Sequence, residues 1–220
     1  MKKLSEIVTH EKDTVIPFGF ENDNGKGPMF GDLVVISGDT NSGKTTLALN
    51  MAVNAASAGF PVLFVSTESF VQQIAKRILS IKNNPNIPLY IQDDLEGSYD
   101  NVKTNGIRII FFDRYCFEIE YLRDCKELAI ENNWCFVEVL RNKRRDINKD
   151  LNVNDLIIGE DVADVVYMVD RPYMYGKRFK YMPDLDPNDH IEICCVKGRL
   201  IGKYNLYCKV DWKTGVIQKI

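Results

Sequence analysis

The segment Gly38-Asp39-Thr40-Asn41-Ser42-Gly43-Lys44-Thr45 constrains what this chain can fold into more than any other feature. It fits the pattern G-x-x-x-x-G-K-[ST] and stands between an apolar run, Leu33–Ser37, and a helical stretch, Lys44–Ser57. That placement is the one the chemistry needs. Glycines let successive backbone N–H groups turn inward onto phosphate oxygens, and the helix that follows presents its positive N-terminal end. Lys44 would reach the β- and γ-phosphates of ATP, the Thr45 hydroxyl would hold Mg2+, and the cradle would run from Gly38 to Thr46.

Apolar and helical stretches alternate beyond this loop. Leu33–Ser37, Lys44–Ser57, Val62–Ser66 and Phe70–Ile81 read as βαβα. A short strand at Leu89–Ile91, a strand at Ile107–Phe112, a helix at Glu118–Asn132 and a strand at Cys135–Leu140 follow. Strands that are apolar throughout and separated by helices predict an α/β fold, a mostly parallel twisted sheet flanked by helices. The last third changes character: a polar basic segment at Arg141–Asn154, a strand at Val165–Val169, and a loop at Arg171–Asp189. The β-rich runs Ile191–Val196 and Tyr204–Val210 then predict a C-terminal β-hairpin around Lys197–Lys203. Gly19, Gly25, Gly27 and Pro28 break regular structure, so residues 1–30 read as an arm, with a short amphipathic turn at Leu4, Ile7 and Val8. Residues 31–220 read as one domain, a size that one hydrophobic core serves.

Composition narrows the function classes. A hydrophobic share of 45% with 27% charged residues excludes a disordered or fibrous chain. No stretch approaches the roughly 20 apolar residues of a bilayer span, and Met1-Lys2-Lys3 leads into a polar segment, so no membrane contact and a cytoplasmic location are expected. The six cysteines form no Cys-x-x-Cys pair and the two histidines have no ligand-spaced partners, which disfavours structural zinc and disulfides. A net charge of −3 restricts any nucleic-acid contact to a local patch.

Three groups of charged residues are candidates for chemistry. Asp113 ends the run Ile109-Ile110-Phe111-Phe112, at the strand edge where open α/β sheets bind ligands, and reads as a second Mg2+ contact. Glu68 follows Val65-Ser66-Thr67 at the corresponding edge of another strand. It reads either as the base that orients the attacking water or as a cap of the helix near Phe70. Glu138 is a rival base, lying inside its strand rather than past its end. Arg141, Lys143, Arg144, Arg145 and Lys149 form the one dense basic cluster of the sequence, readable as a phosphate-backbone contact or as a solvated face.

Gly31–Gly38, the phosphate loop, Thr67-Glu68, Pro88–Asp94, the Asp113 strand and Lys197-x-Arg199 resemble, in this order, the ATPase domain of DnaB-like replicative helicases. Ile16–Phe20 is similar to that domain's opening, and Asp155–Asp164 to the stretch before its next strand. The resemblance implies a RecA-like core, ATP and Mg2+ as cofactors, self-association into a ring, a hexamer in the family, and single-stranded DNA in its channel. It implies replication proteins as further partners. Glu68 matches the family's catalytic glutamate, Lys197 and Arg199 match the basic pair that reaches a neighbour's γ-phosphate, and Arg141–Lys149 falls where a DNA-binding loop projects. Without the resemblance, Lys197 and Arg199 would read as solubilising residues of a turn.

Two functions follow: an ATP-dependent DNA helicase or translocase, or a nucleotide-switched DNA-binding, helicase-loading or regulatory ATPase without unwinding. Glu68, Lys197 and Arg199 favour the first. The second is favoured by Val139, read as standing where the family has a phosphate-sensing glutamine, since valine cannot hydrogen-bond a phosphate. It is also favoured by the expectation that no amino-terminal collar domain is present, which would leave ring assembly to the arm at Lys2–Glu11.

Overall fold

In the computed structural model, residues 14–94, 102–114, 118–142, 151–156 and 159–220 are described. β1 (Leu33–Gly38) leads through the phosphate loop into α1 (Lys44–Ser57), then β2 (Val62–Ser66), α2 (Val71–Ile81), β3 (Leu89–Gln92) and β4 (Ile109–Asp113). α3 (Ile119–Asn132), β5 (Cys135–Arg141), β6 (Val165–Asp170), β7 (His190–Gly198), β8 (Tyr204–Asp211) and β9 (Val216–Lys219) complete the order. The strands form one sheet in the order β3-β2-β4-β5-β1-β6-β7-β8-β9. From β3 to β6 neighbours run parallel; β7, β8 and β9 add an antiparallel meander.

β1, β2 and β4 are buried along their whole length, as strands covered on both faces must be. One face packs on α1 and α2 through Val34, Ile36, Phe64, Phe111 and Val137; the other packs on α3 through Val35, Val65, Phe112, Phe136 and Val166. α1 is buried from Thr46 to Val53, so it is a core helix rather than an amphipathic surface one. α2 and α3 bury narrow stripes, Ile74 and Ile78 in one and Leu122, Cys125 and Ala129 in the other. Cys125, Cys135, Cys194, Cys195 and Cys208 are buried, and none of them is in a disulfide.

Two features differ from the reading of the sequence. Within the segment expected as an arm, Ile16, Phe18, Phe20 and Phe30 are buried in the main core, and Asn54 of α1 donates to the Phe18 carbonyl at 2.9 Å. β9 extends the hairpin into a meander, held to α1 by buried Asn50, which accepts from Ile217 N at 3.0 Å and donates to the Gly215 carbonyl at 2.8 Å. The turn at Leu4, Ile7 and Val8 lies outside the described residues. Among the described residues, no helix is long and apolar enough to cross a membrane.

Candidate nucleotide site

Parallel order fixes the site, because β1, β2, β4 and β5 all point their carboxyl ends to one edge of the sheet. Gly38 and Gly43 bound the loop there. A side chain on Gly38 would put its Cβ 2.6 Å from both Ser42 Oγ and the Val169 carbonyl, so only glycine fits the cradle. Asn41 takes a left-handed conformation, φ 63°, which asparagine tolerates better than most residues. Ser42 Oγ is buried and without a partner, as a group awaiting a phosphate oxygen would be. Lys44 Nζ donates to the Asp39 carbonyl at 2.8 Å, and the Tyr175 hydroxyl donates to the Asp39 carboxylate, pinning the loop from the turn after β6. Burial, then the charge of Arg141, pulls the Lys44 ammonium below its ordinary range.

Thr45 Oγ1 donates to Asp113 Oδ1 at 3.2 Å, which brings together the two residues expected to hold Mg2+. The Asp113 carboxyl is pushed up to about 6, by burial first and by the charge of Glu68 next. A hydroxyl and a carboxylate paired beside a cradle of backbone amides are the oxygen donors a hard divalent cation takes. Glu68 is exposed on the wall of the same cleft, past the end of β2. Glu138 is not there: it is fully buried in the middle of β5, against α3, and the rival-base reading is corrected by its face of the sheet.

The cleft, about 640 Å3, is lined by Thr40, Asn41, Gly43, Lys44, Thr45 and Thr46 together with residues from distant parts of the chain. Arg77 reaches in from α2 and donates to Thr46 Oγ1 at 3.1 Å. Arg114 follows Asp113, and Val139 and Arg141 come from the end of β5. Arg171 and Trp212 form the far wall, the guanidinium 3.8 Å from the indole ring centroid, with Trp212 Nε1 donating to the Asn188 carbonyl at 2.8 Å. The Trp212 ring also lies within 3.4 Å of where a Cβ on Gly43 would stand. Arg141 was expected in the nucleic-acid cluster; it pairs with Gly38 across β1 and β5 and lines this cleft. Lys143, Arg144, Arg145 and Lys149 lie outside the described residues.

Lys197 and Arg199 lie at the opposite edge of the sheet. Arg199 N donates to the Asp164 carbonyl at 3.1 Å, beside the start of β6, and its guanidinium is 3.7 Å from Asp164 Oδ1 and 76% exposed. Lys197 Nζ donates to the Glu160 carbonyl at 2.5 Å. From Asp164 to the level of Gly38 is roughly 15–20 Å of strand. Neither side chain spans that gap to its own phosphate loop.

The fold has relatives among known proteins. Residues 19–111 match the family model of the DnaB-like helicase C terminal domain. The DNA repair protein RadA of Campylobacter jejuni is 30% identical over 136 residues, covering 61% of this chain and 30% of that relative's length. A solved ATPase domain superposes with a TM-score of 0.78 at 18% identity, over 98% of this chain and 95% of that one. The structure of a DnaB-like replicative helicase and its interactions with primase gives a TM-score of 0.77 at 18% identity, over 97% of this chain and 65% of that one. Residues 19–111 are thus similar to the DnaB-like helicase C terminal domain, and the chain as a whole has the RecA-like fold of the ATPase domains on which it superposes.

Proposed function

We propose that the chain is an ATPase of the replicative-helicase kind that binds ATP with Mg2+ at the phosphate loop, hydrolyses it between copies of itself, and acts on single-stranded DNA. The observation that carries this reading is the charge of the cleft, where Lys44, Arg77, Arg114, Arg141 and Arg171 face Glu68 and Asp113. Cations in excess over carboxylates suit a triphosphate with a divalent metal. Thr45 and Asp113 would hold Mg2+, which when bound neutralises charge on the phosphate oxygens. Glu68 orients the attacking water, Lys44 meets the phosphates, and Arg171 with Trp212 offers a flat wall for the base. Arg199, with Lys197 in support, serves a neighbour's cleft, since both stand at the wrong edge to serve their own. Lys143, Arg144, Arg145 and Lys149 contact the DNA backbone.

The test measures ATP turnover by the unaltered chain with and without single-stranded DNA, alongside strand separation of a forked duplex. DNA-stimulated turnover with strand separation supports the helicase reading. The second reading, a nucleotide-switched DNA-binding protein, is favoured by Val139 on the cleft wall, where no hydrogen bond to phosphate can form. It predicts ATP-dependent DNA binding without strand separation. Absence of nucleotide binding would overturn both.

A further inference from the structure

Behind the cleft, on the α3 side of the sheet, three buried polar atoms stand without hydrogen-bond partners: Glu138 Oε2 from β5, Tyr121 Oη from α3, and Arg114 Nε from the end of β4. They are complementary, an acceptor and two donors. Glu138 Oε1 has the Cys125 thiol at 3.8 Å, and its strand neighbours in register are Val35 and Phe112. Arg114 rests with its guanidinium carbon 3.8 Å from the Tyr121 ring centroid and 5.4 Å from that of Phe112. It also lines the nucleotide cleft. Its charge therefore stands between two anionic destinations, the cleft on one side and a buried carboxylate on the other.

Buried donors and acceptors left unmade are costly, so a complementary trio of them marks an arrangement with a second, bonded form close by. We propose that Arg114 is a phosphate-contacting residue positioned by Glu138, exchanging between the nucleotide in the cleft and the buried carboxylate. The exchange rests on the nucleotide-site reading above and adds a named residue pair to it. Burial pushes the Glu138 carboxyl up to about 7, and the nearby charge of Arg114 pulls it back. An ionised Glu138 draws Arg114 inward. A neutral one leaves it to the phosphates. By linkage, a nucleotide that draws Arg114 outward removes the carboxylate's counter-charge and makes Glu138 take up a proton.

Titration calorimetry of ADP with Mg2+ into the full chain tests this, near pH 7 in buffers of different ionisation enthalpy and then from pH 6 to 8.5. The unaltered chain takes up more proton on binding than Glu138→Gln, and its affinity falls several-fold more steeply as pH rises. Arg114→Ala binds about tenfold more weakly, as loss of a charge-assisted contact implies, and Arg114→Lys recovers part of the loss. Tyr121→Phe, which keeps the ring and the fold, changes the proton uptake while leaving Arg114 in reach of the phosphates. Equal proton uptake in the unaltered chain and Glu138→Gln, or unchanged affinity in Arg114→Ala, overturns the exchange while leaving the nucleotide site standing. Failure of the unaltered chain to bind ADP overturns the nucleotide-site reading itself.

Discussion

At the scale of single residues, the proposed roles of Lys44 and Glu68 divide binding from turnover. Lys44 sits in the cradle and Glu68 on the cleft wall, so their losses should differ in kind. Lys44→Ala should abolish nucleotide binding measured by equilibrium dialysis. Glu68→Gln should bind ATP within a few-fold of the parent and lose turnover by roughly 10²-fold or more, the range general-base removal commonly costs. Parent-like turnover in Glu68→Gln would return Glu68 to the role of a helix cap. Glu138 gives a separate prediction on stability. Its carboxyl moves from 4.5 to about 7 on folding, so between those values the native state holds a proton that the unfolded state has lost. Stability is therefore highest below the lower value and falls as pH rises to the upper one, by roughly 3 kcal/mol at most. Urea unfolding of Glu138→Gln from pH 4.5 to 8 should lack that slope; an identical pH profile in variant and parent would refute the shift.

At the scale of elements, what the sequence made legible follows from its physics. Fully buried parallel strands are continuous apolar runs, so β1, β2, β4 and β5 could be read directly, and the phosphate loop placed α1 to the residue. β9 is four residues with an intermediate and exposed pattern, too short and too polar to stand out. Ile16, Phe18 and Phe20 alternate with period two, but Pro17 and Gly19 interrupt the run, and the bond that ties it to α1 comes from Asn54, 36 residues beyond Phe18. Motif residues Lys44, Thr45 and Asp113 were legible because their chemistry is tied to local spacing. Arg77, Arg171 and Trp212 were not, because sheet order rather than spacing brings them to the cleft, whereas Arg114 reaches it simply by following Asp113. Arg141 was assigned by composition to a basic run, whereas pairing of β5 with β1 sets it beside Gly38. The remainder of that run gives a prediction of its own. Replacing Arg144 and Arg145 by alanine should lower the slope of log K against log[salt] for single-strand binding by roughly 0.7 per lost phosphate contact. An unchanged slope would make the segment a solvated face.

At the scale of the whole molecule, the phosphate loop and the Lys197–Arg199 hairpin occupy opposite edges of one sheet. On the proposed function, surfaces so disposed would meet head to tail, and a heterologous contact of this sort closes into a ring when its rotation permits. Arg199→Ala should then bind ATP and hydrolyse it poorly, while a co-assembled mixture with Lys44→Ala should recover some turnover, because mixed interfaces pair an intact loop with an intact arginine. An arginine supplied in this way is worth roughly 10³–10⁵ in rate where it has been measured. The most direct test is ATP turnover per chain across a dilution series, with particle mass followed by light scattering in the same samples. Turnover per chain should collapse as the assembly dissociates, and Arg199→Ala should turn over poorly at every concentration. Constant turnover per chain down to a monomer, with Arg199→Ala fully active, would contradict hydrolysis between copies of the chain.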